Sequence, residues 1–126
     1  MPPALNFKKE EREIKKALKK SKQKILYQSK VATRDNFEEI LRKEPKILHI
    51  SCHGIRTEVR RMQANQEEAH EESHHLLFEN SYGSGQLVSA KDIRLLMENS
   101  PHPIDLIFVA ACDSEEIGKT FLRCGV

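Results

Sequence analysis

Residues 104–114 read Ile104-Asp105-Leu106-Ile107-Phe108-Val109-Ala110-Ala111-Cys112-Asp113-Ser114, and this stretch decides how the 126-residue chain is understood. It is nearly all apolar up to Ala111, which suits a central strand covered on both faces of a parallel sheet. It then turns polar at a thiol. Asp113 and Glu116 have the spacing of a helix cap, and Ile117 and Phe121 follow one turn apart. A second stretch is built the same way: Lys46-Ile47-Leu48-His49-Ile50-Ser51 reads as a strand that runs into His53-Gly54. Two strands thus each end in a residue able to do chemistry.

The neighbouring segments supply the rest of the pattern. Ile25 to Ala32 reads as a short strand, and Asp35 with Glu38 as a capping box ahead of a helix that buries Phe37, Ile40 and Leu41 and stops at Pro45. Residues 56–74 are polar with hardly an apolar position, which predicts a long exposed loop or a weakly held helix. His75 to Glu79 reads as a strand and Ser81 to Gly85 as a turn. Ser89 with Asp92 then caps a helix carrying Ile93, Leu96 and Met97 inward. Strands alternating with helices predict an α/β fold with a mainly parallel sheet flanked by helices and right-handed crossovers.

Composition narrows the class. The length fits one domain, and 38% apolar against 32% charged residues gives a modest core under a large polar surface. No stretch approaches the roughly 20 apolar residues of a membrane span. The start of the chain lacks a signal-peptide apolar run, since Lys8, Lys9 and Glu10 follow almost at once. Three cysteines without such a run predict reduced thiols and a cytoplasmic protein. Residues 1–24 hold eight lysines and one arginine against three glutamates, and this basic segment reads as a separate helix with a solvated face. No aromatics are interleaved with its lysines, so it does not read as a nucleic-acid site. The expected division is therefore residues 1–24 as a basic helical segment and 25–126 as the domain.

His53 and Cys112 stand 59 positions apart in sequence, yet each directly follows a strand of one parallel sheet. Ligands of such sheets bind beyond the carboxyl ends of the strands, so the topology brings an imidazole and a thiol to one edge. Each residue alone is weak, because a strand-end cysteine is commonly packing and a single histidine commonly structural. Their settings add to the signal. Gly54 lets the backbone approach a substrate closely, and the start of the helix after Cys112 should favour thiolate.

Ile50-Ser51-Cys52-His53-Gly54, Leu76-Leu77-Phe78-Glu79, Leu87-Val88-Ser89 with Asp92, and Leu106 through Ser114 together resemble a CHAT domain, a caspase-like module related to caspases, separase and gingipains. The resemblance covers roughly residues 25–126 and is strongest from 46 onward. It implies a caspase-like fold and a cysteine endopeptidase acting on protein or peptide substrates. Cys112 would be the nucleophile, His53 the acid/base, and the backbone amides of Gly54 and Cys112 the oxyanion hole, with no metal or organic cofactor. A repeat-containing regulatory region is an expected partner. Family members continue into further strands where this sequence stops at Gly125-Val126, so a C-terminally truncated copy is expected. Relatives with basic specificity make cleavage after Arg or Lys an expectation.

Three other readings compete. His70-Glu71-Glu72-Ser73-His74 matches H-E-x-x-H, but its flanks offer no apolar face to bury as a zinc-binding helix would need. A catalytically inactive caspase-like scaffold that mediates protein–protein interaction would keep the same fold. A thiol-redox role for Cys52 and Cys112 lacks a C-x-x-C arrangement. Cys52 and Cys124 read as packed core residues.

Overall fold

The structure is a computed structural model that describes residues 5–62, 68–98, 100 and 103–126, with backbone alone at 58–62 and 68–72. The chain divides into two units, Met1–Val31 and Ala32–Val126.

In the first unit, α1 (Phe7–Lys20) begins at Asn6, whose side-chain oxygen accepts a hydrogen bond from the Lys9 amide at 3.0 Å. Lys19 and Lys20 sit in its last turn, where cations suit the negative end of the helix dipole. No residue of α1 is buried. The strand expected over 25–32 does not form, and Leu26 is 95% exposed. A strand needs a neighbour along its length for its N–H and C=O groups; here the chain forms an isolated parallel bridge between Thr33 and Glu79, where the Glu79 amide donates to the Ala32 carbonyl at 2.8 Å.

The second unit opens with α2 (Arg34–Arg42). Its cap is Thr33, whose hydroxyl accepts from the Asn36 amide at 3.0 Å. The expected Asp35–Glu38 box is therefore misplaced by two residues, because Thr33 already serves the free amides of the first turn. Phe37 and Leu41 are buried as expected. The helix ends at Arg42, and Glu44, with φ 56°, turns the chain just before Pro45.

β1 (Ile47–Ser51) turns Leu48 and Ile50 inward and pairs in parallel with β5 (Leu106–Ala110), from Ile47 opposite Leu106 to Ser51 opposite Ala110. Between them lie β2 (His53–Met62), β3 (Glu68–Glu79), β4 (Gly85–Ser89) and α3 (Ala90–Glu98); α4 (Glu115–Arg123) follows β5. β2, β3 and β4 form an antiparallel sheet in that order. The fold is thus α/β as expected, with a parallel pair beside an antiparallel sheet and helices packed on both.

The polar run at 56–74 is where expectation and structure part. Its described residues, 56–62 and 68–74, lie on β2 and β3, which pair from His53 opposite Leu77 to Met62 opposite Glu68; 63–67 lie outside the described residues. Backbone pairing satisfies itself whatever the side chains, whereas the sequence signal for a strand comes from alternating apolar residues, which this run lacks. β5 also differs from expectation. Leu106 is 53% and Phe108 56% exposed, so the strand is covered on one face only. Among the described residues it pairs with β1 alone, and Phe108 leans on His49 with ring centroids 5.0 Å apart.

The core lies between the two sheets and α2, α3 and α4. Leu76 and Val88 are fully buried, opposite each other on β3 and β4. Phe37 is the hub, with ring centroids 6.1 Å from Phe78 and 6.5 Å from Phe121. The predicted cap of α3 is realised in both directions: the Ser89 amide donates to Asp92 Oδ2 at 3.0 Å, and the Asp92 amide donates to Ser89 Oγ at 3.1 Å. Ile93, Leu96 and Met97 are buried as the spacing predicted.

Candidate active site

Because β1 and β5 run parallel and in register, their carboxyl ends coincide. The last pair of the ladder is Ser51 with Ala110, and the Cys52 amide donates to the Ala110 carbonyl at 3.3 Å just beyond it. His53 lies two residues past Ser51 and Cys112 two residues past Ala110, so both candidates fall at the same step off one sheet edge. His53 is half-buried at the start of β2, and the Cys112 side chain is exposed. Among the described residues no hydrogen bond joins the two side chains.

Gly54 supplies the direct contact. A Cβ placed there would lie 2.8 Å from the Cys112 carbonyl carbon and 3.2 Å from its amide nitrogen, and would overlap the carbonyl oxygen. Only a glycine lets the two main chains approach this closely. The Gly after the candidate histidine is thus explained by the backbone of the candidate nucleophile, more than by a substrate.

The turn after Cys112 is tight. Asp113 has φ 50°, in the left-handed region, and α4 starts from Ser114, which makes no side-chain cap. The expected Asp113–Glu116 cap is absent because Asp113 is spent on the turn and the Glu116 carboxylate instead accepts from Lys119 Nζ at 3.1 Å. That bond, with smaller help from His74 and Arg123, holds Glu116 below the usual glutamate range. The positive end of α4 is therefore left without a side-chain cap two residues after the Cys112 turn, a setting that favours negative charge nearby.

The other thiols differ. Cys52 is 5% exposed, and burial pushes it up to about 11, against a smaller lowering by the Leu77 backbone. A thiol so protonated is a poor nucleophile. Cys124 follows α4, packs partly against the core and is also raised, mainly by burial. Both behave as the packed residues expected. The H-E-x-x-H run lies on the extended strand β3, not on a helix. Four residues of strand span about 13 Å, whereas a helix brings residues four apart to one face. No group of three metal-ligating side chains occurs among the described residues.

Reading 56–74 as a loop concealed a cross-strand pair just beyond Gly54. Arg56, two residues beyond Gly54, and His74 are cross-strand partners. The expectation of a strand, had it been made, would have found both by counting along the ladder. A groove of about 360 Å³ lies between β5 and α4, lined by Ile107, Val109, Phe121, Leu122 and their neighbours. Neither His53 nor Cys112 lines it.

A family model described as the CHAT domain matches residues 1–121 of the chain. No curated protein and no solved structure matches it. No helix among the described residues is long and apolar enough to cross a membrane.

Proposed function

Because the chain belongs to the CHAT domain family, a caspase-like peptidase group, we propose that it carries the Cys112–His53 dyad of a cysteine endopeptidase that cleaves protein substrates. The Cys112 thiol passes its proton to His53 as the sulfur attacks the scissile carbonyl carbon, forming a C–S bond and a tetrahedral oxyanion. The oxyanion lies toward the amides of Gly54 and Cys112, and each donor aimed at developing charge is worth roughly 3–4 kcal/mol. His53 gives a proton to the leaving amine as the C–N bond breaks. Water then attacks the thioester, with His53 taking its proton, and the acid product leaves Cys112 as it began. The reaction draws on thiol, imidazole and backbone alone.

The observation that carries this reading is the contact of Gly54 with the Cys112 main chain, which brings the chain around His53 to the thiol-bearing turn. A non-catalytic scaffold is the second reading. Leu106, Phe108 and Leu122, left uncovered on β5 and α4, favour it, since such apolar surface suits a binding partner.

The test is covalent labelling by peptide electrophiles bearing Arg, Lys, Asp or Leu before the reactive group, read by intact mass. Selective single labelling is expected, lost in Cys112→Ala and slowed in His53→Ala. A folded protein that no peptide electrophile labels would sink the peptidase reading and leave the scaffold.

A further inference from the structure

The left-handed backbone at Asp113 has no part in the reaction just described. Asp113 does not cap α4, and its side chain is exposed, so neither a cap nor core packing accounts for it. Its φ of 50° is one of two positive values outside glycine among the described residues. The other, at Glu44, follows a helix and precedes a proline, a common place for such a residue. Asp113 instead joins a strand directly to a helix. The chain must leave β5 at Ala110 and enter α4 at Glu115 within four residues, while Cys112 stays seated on Gly54. One left-handed residue makes that reversal, and aspartate tolerates it better than most side chains.

Building on the nucleophile reading of Cys112, we propose that Asp113 is a positioning residue: its left-handed backbone holds the Cys112 main chain against Gly54 and keeps the thiol at the open sheet edge. The role belongs to the backbone conformation and not to the carboxylate. Residues that accept positive φ should therefore substitute for it, and β-branched residues should not.

The experiment compares wild type with Asp113→Asn, Asp113→Gly, Asp113→Ala and Asp113→Val. Each is labelled with the best peptide electrophile of the panel and with iodoacetamide, which needs only an exposed thiol, and Cys112 modification is followed by peptide mapping. Asp113→Val should lose about tenfold or more in peptide labelling while iodoacetamide labelling stays within about threefold, because orientation and not exposure is lost. Asp113→Asn and Asp113→Gly should keep both rates within about threefold, with Asp113→Ala between them and Asp113→Val. Should Asp113→Val not fold by circular dichroism, the order Gly, Asn, then Ala carries the test. Equal peptide labelling across the series overturns the proposal. So does an equal loss in Asn, Gly and Val, which would assign the role to the carboxylate. Wild type that reacts with iodoacetamide but with no peptide electrophile defeats the peptidase reading and this proposal with it, whereas a flat series on a labelled wild type defeats positioning alone.

Discussion

Gly54→Ala is the sharpest test of how the candidate site is held. The added methyl would lie 2.8 Å from the Cys112 carbonyl carbon and 3.2 Å from its nitrogen. Carbon atoms rest about 3.5–4.0 Å apart, so the start of β2 and the Cys112 turn must separate by roughly 1 Å. The obstruction is backbone, which cannot swing aside as a flexible side chain would. Forcing an extra methyl into such a place costs about 1–3 kcal/mol, and a catalytic group displaced by about 1 Å can lose on the order of a hundredfold in rate. The variant should therefore melt several degrees lower in thermal denaturation followed by circular dichroism. Its labelling at Cys112 by a peptide electrophile should fall by about two orders of magnitude. Gly118→Ala is the control, since a Cβ there meets nothing within 4 Å. Gly118 lies inside α4, where alanine is preferred by about 1 kcal/mol, so that variant should gain stability and label normally. If Gly54→Ala melted and labelled like wild type, the close approach of the two main chains would be wrong, and with it the support for the dyad.

Other perturbations follow from single features. The Ser89 amide hydrogen bond, opposed by partial burial and aided by the Ser89 hydroxyl, Arg34 and His75, holds Asp92 below its ordinary range. Its folded value being depressed, the stability it contributes is whole above about pH 4 and is lost as pH falls through the lowered value. Asp92→Asn should flatten that part of the acid limb in pH-dependent unfolding; an unchanged limb would assign it to other carboxylates. Native alkylation at pH 8 should modify Cys112 first and leave Cys52 intact until denaturant is added, as peptide mapping would show. Early modification of Cys52 would contradict its burial. Glu44→Gly should raise stability by about 0.5–1 kcal/mol in urea unfolding, because a left-handed glycine escapes most of the cost an L side chain bears. A loss there would mean that the φ of 56° is not what limits this turn.

Much of the molecule was legible in one dimension, for an identifiable reason. Where burial and secondary structure coincide, the side-chain period reports the element: Leu48 and Ile50 on β1, Ile93, Leu96 and Met97 on α3, and Ile117 and Phe121 on α4 are all inward, as their spacing predicts. The Ser89–Asp92 box was equally readable, since both of its bonds are local. Three features were not. The segment at 25–32 has apolar residues but forms no strand. The strands His53–Met62 and Glu68–Glu79 pair with each other but carry few apolar residues before Leu76. Asp113 has the letter pattern of a cap, yet the turn from β5 into α4 takes it into a left-handed conformation instead.

For the candidate site the same boundary holds. By itself the chain determined that a histidine and a cysteine each follow a buried-type strand, because parallel strands with one-sided or two-sided burial carry their apolar residues in order. It also determined that Cys52 and Cys124 would be packed, and it pointed to the CHAT family. Only the tertiary structure decided that β1 and β5 are direct neighbours in register, that Gly54 rests on the Cys112 backbone, and that Arg56 and His74 pair across β2 and β3. Those facts depend on which strands pair and at what offset. Pairing of residues more than 50 positions apart is set by the packing of the whole domain, and no local stretch of sequence contains it.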